Sequence, residues 1–542
     1  MSQASSLPGQ SAPWRFVLNT AVVMLGTILS RVLGLVRDAI ISRQFGIEPE
    51  IGAYRAAFAI PDLLYFVIIG GALGSALVPV FSRLIEDRRE DRAWELANTI
   101  LTLAFACFVV IALLVGVFAR PLLAVTVARG YAHNPELLDL AVRLMRIMLI
   151  QPLLLGLGGL IMALLQSFER FAFPAIAFNV YNLTIVIAAL FFAPLYRVEA
   201  LAWGVALGAL LYVLVQLPAV FQAGLRFRPA LNLRMHEVRR VGQLLAPRLL
   251  GQSALQINII VMVTLIGLLS PSAQAANAYA YQLLMLPHGI LAISLGTVMF
   301  PRLTRLFAAQ QMDALRRASL QTLRMVLWLT LPAAIILAVL HVPILRLLFQ
   351  RGEFDEQSLL LTGRALFFYT PGVIGLAGVE IVIRTFYAME NTRTPVQIGV
   401  LTIVLNGLLA SFVITYVERD IGLVALSYSL ANVLEFVLLF ALLRRHLGGY
   451  SGPDLRRSVL ALAASAAALF GALLLSVRVA KPYVPGITFD SSYGQGADFF
   501  WLAGGFALIC VVGLGVYVAV AAVLRAPELG EIWALVRRRP VS

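Results

Sequence analysis

Long apolar runs, each closed by charged residues or by proline and glycine, recur from one end of this sequence to the other. Most hold about 20 or more residues, enough for a helix to cross roughly 30 Å of hydrocarbon. The pattern predicts an all-α polytopic membrane protein of about 14 spans, at approximately 15–41, 52–82, 94–119, 136–167, 173–195, 199–222, 238–269, 274–307, 318–341, 357–389, 394–416, 421–443, 455–478 and 499–525. The short alternating segments of a membrane β-barrel do not occur. Met1 to Pro13 are small and polar, and the run that opens at Phe16 is too long for a signal peptide, so it is expected to stay as the first span.

Two stretches of the pattern repeat. Leu73-Gly74-Ser75-Ala76-Leu77-Val78-Pro79-Val80-Phe81-Ser82-Arg83-Leu84 closes the second span and returns as Leu295-Gly296-Thr297-Val298-Met299-Phe300-Pro301-Arg302-Leu303-Thr304-Arg305-Leu306 at the end of the eighth. A weaker echo matches Pro152 to Gly159 of the fourth span with Pro371 to Gly378 of the tenth, and Glu169 with Pro174 then parallels Glu390 with Pro395. Both echoes run toward the same basic side, six spans apart. They predict two six-helix lobes related by a parallel repeat, residues 1–223 and 238–445, joined by a cytoplasmic linker at 224–237 and followed by two extra helices within 446–542. Transporters built this way place a site between halves that rock against each other. Pro61, Gly70, Gly71 and Gly74, matched by Pro287, Gly289 and Gly296, are the expected hinges.

Composition sharpens this picture: 60% of the residues are hydrophobic and 13% charged, too apolar for a water-facing surface. The net charge of +14 is concentrated in alternate loops, all on one side, among them Arg83 to Arg92, Arg226 to Arg240, Arg302 to Arg317 and Arg444 to Arg457, which puts those loops and both termini in the cytoplasm. Topology and attraction to anionic membrane lipid account for the charge without nucleic acid. Cys107 and Cys510 fall inside predicted spans and are expected to be buried small apolar residues. The five histidines lack metal-ligand spacing, and no catalytic triad order or phosphate-cradling glycine loop stands out, so no metal, cofactor or enzyme activity is expected.

Charges inside the spans are the candidate chemistry. Arg31 lies about 16 residues beyond Arg15, roughly 24 Å along a helix, and Arg37 lies deeper. At such depth an ionised group must face protein or water. Arg55 opens the second span, Arg248 stands inside the seventh and Arg384 inside the tenth. Guanidinium groups suit phosphate because the planar fork gives two parallel hydrogen bonds and keeps its charge when buried. Arg31, Arg37, Arg55, Arg248 and Arg384 are therefore the candidate anion ligands, with Asp38, Glu380 and Gln282 in support. The alternatives are structural: Arg37 pairing only with Asp38, and Glu380 closing on Arg384 one helical turn later. Asn179, Asn182, Gln256, Asn406 and Asn432 are expected chiefly to join helices.

Ser30-Arg31-Val32-Leu33-Gly34-Leu35-Val36-Arg37-Asp38 resembles the first-helix signature of the MurJ (MviN) family, lipid II flippases of the MOP exporter superfamily. The resemblance continues through Ala57-Phe58-Ala59-Ile60-Pro61-Asp62-Leu63-Leu64, Ala76-Leu77-Val78-Pro79, Leu348-Phe349-Gln350-Arg351-Gly352 and Thr394-Pro395-Val396, in family order over nearly the whole chain. It implies two six-helix lobes with alternating access to a cationic cavity, and two extra helices that form a groove for an undecaprenyl tail. It also implies that Arg31 and Arg37 hold a diphosphate-sugar head, that the cargo is lipid II, and that a monomer works in the bacterial plasma membrane. The chain departs from the family pattern at Leu64-Tyr65-Phe66 and Gly70-Gly71-Ala72, where charges are usual, and at Tyr281-Gln282, where an Asp-Arg pair is usual.

Four other functions compete, one of them a scaffold that has lost transport, which the missing family charges would allow. A flippase for a different polyprenyl-diphosphate glycan would share the arginines. A MATE-like antiporter would need acids to exchange cations, for which Asp38, Asp62, Glu380 and Glu435 are the candidates. A membrane glycosyltransferase would need a carboxylate-bearing outer loop. With no acid in the seventh or eleventh span, membrane potential is the expected driver rather than sodium.

Overall fold

The apolar periodicity folds as helices throughout the computed structural model, which describes residues 13–68, 72–131, 134–168, 170, 172–449, 453–494 and 496–530. Two compact units emerge, one of Met1–Phe45 with Pro49–Thr264 and the other of Gly46–Glu48 with Leu265–Ser542. The division falls near the end of one long helix, whereas the repeat in the sequence divides the chain at 224–237.

The first unit contains α1 (Pro13–Phe45), α2 (Pro49–Ile68), α3 (Ala72–Glu86), α4 (Glu90–Val117), α5 (Ala119–Val125), α6 (Pro135–Met148), α7 (Ile150–Ser167), α8 (Ala172–Ile187), α9 (Ala193–Gln222) and most of α10 (His236–Gly267). The second contains α11 (Pro271–Pro287), α12 (Ser294–Ala308), α13 (Met312–Val339), α14 (His341–Leu348), α15 (Glu356–Ala388), α16 (Arg393–Phe412), α17 (Ile421–His446), α18 (Pro453–Ala480) and α19 (Ala497–Val523). Every predicted segment lies on one or more of these helices. Among the described residues, ten helical stretches are long and apolar enough to cross a membrane. One of them, Ala172–Gln222, covers two predicted spans and is broken at Arg197, whose φ of 48° ends the helical path.

The parallel repeat shows in local structure as well as in sequence. Short helices follow the third and ninth predicted segments, α5 after α4 and α14 after α13. Asparagine or aspartate then caps the next helix: Asn134 accepts from Leu137 N at 3.1 Å ahead of α6, and Asp355 accepts from Ser358 N at 2.8 Å ahead of α15. The fifth and eleventh segments each end in a π-helical turn, Ala188–Phe192 and Val413–Val417. A third π turn, His288–Ile293, follows Pro287 at one of the expected hinges; Gly70 and Gly71 of the other lie outside the described residues.

Close packing explains the glycines of the weaker echo. Without a hydrophobic drive between helices in lipid, small residues that let backbones approach carry the association. A Cβ on Gly158 of α7 would strike the Tyr212 ring of α9, and one on Gly375 of α15 would come within 2.6 Å of the Asn432 carbonyl carbon of α17. The outer surface is apolar, with Leu113, Val117 and Phe191 each exposed. Cys107 corrects an expectation: it stands on this outward face of α4 and is exposed, because the α4 stripe that packs inward runs through Ala97, Leu101 and Phe108 instead. Cys510 is half-buried.

The two extra helices belong to the second unit. Tyr517 of α19 donates to Trp328 O of α13 at 2.9 Å, and the loop between α18 and α19 is held by Arg346 of α14. That guanidinium is fully buried and donates to Thr488 O and Ser491 O, both at 3.1 Å, and to Glu356 Oε1 at 2.9 Å. Burial pulls Arg346 below its ordinary pKa, and Glu356 opposes the pull.

Candidate functional site

The α1–α2 hairpin builds the main cluster of buried charge in the first unit. Arg37 and Asp38 are neighbours on α1, and Arg55 stands near the start of α2. Both arginines turn to one carboxylate oxygen: Arg37 Nε lies 3.3 Å and Arg55 Nη2 3.1 Å from Asp38 Oδ1. The Asp38 side chain is 3% exposed while the arginines are 21% and 19% exposed, so the acid is sealed and the cations stay reachable. Two guanidiniums on one carboxylate leave a surplus positive charge, which is the electrostatic requirement for an anion site.

The eighth helix fixes the orientation of this cluster. Asn182 accepts from Arg37 Nη1 at 3.3 Å and donates to Ser30 Oγ at 3.2 Å, while Asn179 donates to Gly26 O of α1 at 3.3 Å. The Arg55 guanidinium also lies 5.9 Å from the Tyr54 ring centre. Asp62 sits two helical turns along α2, half-buried and in electrostatic contact with Arg37. Arg37 Nη2 makes no hydrogen bond among the described residues, so one edge of its fork is open.

Arg31 is not part of the Arg37 cluster. Six residues of helix turn the side chain roughly 120° away from Arg37 around the axis, and Arg31, half-buried, has no ion pair among the described residues. The side chain of Arg248 lies outside the described residues.

In the second unit Arg384 meets Glu380, Nε to Oε1 at 2.6 Å, each side chain 22% exposed. This is the one-turn pair that the sequence offered as a structural alternative. Gly296, in the repeated stretch, makes room for it: a Cβ there would lie 2.8 Å from Arg384 Nε. Gln282 is half-buried on α11, next to Tyr281, whose hydroxyl is 3.5 Å from that of Tyr428.

Asp38, a supporting residue by sequence, is the centre of the cluster in the structure. Asn182, helix glue by sequence, is that and also the orienting partner of Arg37. The i, i+7 spacing of Ser30 and Arg37 on one face of α1 is the signal that points to a common partner. No group of three or more histidine, cysteine or acidic side chains able to hold a metal occurs among the described residues.

Known relatives cover most of the chain. A family model described as lipid II flippase MurJ matches residues 41–494. A probable lipid II flippase MurJ of Buchnera aphidicola subsp. Acyrthosiphon pisum is 31% identical over 419 residues, covering 77% of this chain and 81% of that protein. The lipid II flippase MurJ of Burkholderia cenocepacia is 30% identical over 427 residues, covering 77% of this chain and 82% of its own length. Among solved structures, a lipid II flippase MurJ in an inward closed conformation superposes with a TM-score of 0.77 over 93% of this chain and 98% of that one, at 21% identity. An inward-facing multidrug resistance MATE family transporter of the MOP superfamily does so with a TM-score of 0.64 over 79% of this chain and 98% of that one, at 14% identity. The two structural likenesses establish the fold as that of these transporters. The family match and the curated relatives, which agree over most of both lengths, establish that this chain belongs to the MurJ family.

Proposed function

We propose that the protein is a lipid II flippase: it carries the undecaprenyl-diphosphate-linked peptidoglycan precursor from the inner to the outer leaflet of the bacterial plasma membrane by alternating access of two six-helix lobes, residues 1–223 and 238–445. Its membership of the MurJ family supports this cargo. The observation that carries the reading in this chain's own residues is the sharing of Asp38 by Arg37 and Arg55. A diphosphate brings several acceptor oxygens, and guanidiniums bind them without losing charge in a low-dielectric site. The open edge of Arg37, and Arg31, which has no ion pair among the described residues, supply donors for the headgroup, while Asp38 holds the two cations of Arg37 and Arg55 together. Arg248 and Arg384 are proposed as further ligands, and Glu380 and Gln282 as their support.

The protein works as a monomer without cofactor or enzymatic step, its termini cytoplasmic, and α18 and α19 take the polyprenyl tail. The test is rescue of cells depleted of their own lipid II flippase. The native chain restores growth, and R31A and R37A do not, at unchanged protein level. Normal growth of both variants sinks the assigned arginine roles. Failure of the native chain to rescue, when correctly inserted, sinks lipid II as the cargo and favours another polyprenyl-diphosphate glycan.

A further inference from the structure

Among the described residues, the carboxyl of Glu435, inside a predicted span, has no ion pair. Glu435 stands on α17, nine residues before Arg444 at the basic end and therefore about 13 Å inside the helix from that charge. Its neighbour across the packed helices is Thr402, which is nine residues inside α16 from Arg393 and 2% exposed. Thr402 Oγ1 lies 3.2 Å from Glu435 Oε2. The charged groups of the helices packed on α17 are engaged elsewhere. On α15, Arg384 is held by Glu380 and Arg364 by Asp420, and on α16, Arg393 is at the far end. Tyr387 of α15 lies beside Glu380, Tyr369 donates to Asn277, and Tyr416 of the following π turn is at the opposite end. Among the described residues, Thr402 is the hydrogen-bond partner of Glu435, and no ion pair reaches it.

The Thr402 hydroxyl can serve either form of this acid. Its oxygen is also 3.1 Å from Ile398 O and 3.0 Å from Gly399 O. When Glu435 is ionised, the hydroxyl donates to its carboxylate. When a proton bonds to Oε2, the new O–H donates to Thr402, and the threonine hydrogen turns to a backbone carbonyl. Oε2 and the threonine hydroxyl thus keep each other as partners in either state. A hard metal cation would need about six oxygens, and the two carboxylate oxygens and one hydroxyl here are too few.

We propose that Glu435, relayed by Thr402, is a proton-binding site of the transport cycle, so that proton uptake and release at this carboxyl accompany lipid movement. Ionisable groups placed within a span without a partner are where membrane transporters handle protons. The proposal rests on the flippase reading for its cargo, and on this site alone for its proton.

The full-length protein in liposomes tests it, with lipid II translocation followed under an imposed pH gradient and proton flux followed by an internal dye. Translocation by the native protein responds several-fold to the gradient and E435Q does not respond, while T402S behaves as native and T402V loses most of the response. An E435Q variant that keeps the native response overturns the proposal and leaves the flippase reading standing. If the native protein moves no lipid II, the flippase reading falls, and the proton site is judged by infrared titration of the detergent-solubilised protein. A protonated-carboxyl band that titrates in the native chain and is missing from E435Q supports the site; its absence from the native chain overturns it. Should E435Q fail to insert, E435D and T402V carry both measurements, and a native response from both is equally fatal.

Discussion

The two units treat buried charge in opposite ways. In the first, two guanidiniums converge on a single carboxylate oxygen, and the acid rather than the bases is sealed from outside. In the second, Arg384 is matched one to one by Glu380, and a further acid, Glu435, has no ion pair among the described residues. In the first cluster two guanidiniums share one ion-paired acid, with Asp62 nearby; in the second, one guanidinium meets one acid. The two units thus differ in a few charges, while their helix packing, at Gly158 against Tyr212 and Gly375 against Asn432, is the same in kind. The backbone of the repeat is conservative because close approach tolerates no side chain, whereas a charge can be moved along a helix face at little structural cost.

The sharpest way to break this comparison is to remove the acid from each cluster. D38N leaves two guanidiniums facing each other around a side chain that is 3% exposed, which costs about 3–5 kcal/mol. E380Q relaxes a half-exposed pair one turn apart and costs less than about 1 kcal/mol. Thermal melts of the two purified variants read the difference directly. Equal destabilisation would mean that the first cluster is an ordinary ion pair and not a crowded cation site.

A second contrast uses the short helices that follow corresponding segments. Arg346 of α14 has no exposed surface and holds the α18–α19 loop through backbone carbonyls, whereas Arg120 of α5 pairs with Asp139 on an open surface. R346A therefore removes several charge-assisted hydrogen bonds and costs about 3 kcal/mol, with increased protease cleavage between 481 and 494. R120A stays within about 0.5 kcal/mol of native. Protease protection that survives R346A would show that Tyr517 and its packing on Trp328, and not the arginine, hold the extra helices.

Much of this architecture is legible in the sequence because a span is specified by little more than length and apolarity, and because two repeated stretches fix which segments correspond. The π turns and the short helices α5 and α14 were not legible: they are as apolar as the spans they interrupt, and a turn of i→i+5 bonding leaves no mark on hydropathy. The site was readable in its parts. Arg37, Asp38, Arg55 and Arg384 declare themselves as charges at depth, and the spacing of Glu380 to Arg384 even gives the partner. What spacing cannot give is convergence. Arg55 reaches Asp38 across 17 residues because the chain turns after α1 and the long Arg55 side chain spans back to it, and Arg31 is turned away from both by helical geometry alone. Arg346 is the clearest omission, since an arginine in a short amphipathic segment reads as exposed until the loop that wraps it is known.

The smallest effects separate orientation from stability. Asn182 of the fifth segment and Asn406 of the eleventh are both interhelical asparagines, yet they face different tasks. Asn182 holds Arg37 at 3.3 Å and is half-buried, whereas Asn406 is fully buried and accepts from Ser427 Oγ at 3.3 Å. Single hydrogen bonds between membrane helices contribute about 0.6 kcal/mol on average, so neither substitution to leucine should move the melting transition far. N406L should nonetheless cost about 1 kcal/mol, because Ser427 is left with only its own-helix acceptor at Val424 O. N182L should cost less in stability but weaken binding of a soluble polyprenyl-diphosphate analogue by a few-fold, since Arg37 keeps its charge and loses its aim. Affinity measured on the two purified variants decides the matter: a loss in N406L as large as in N182L would mean that Arg37 does not owe its position to α8, and that the surplus charge of the first unit is oriented by Asp38 alone.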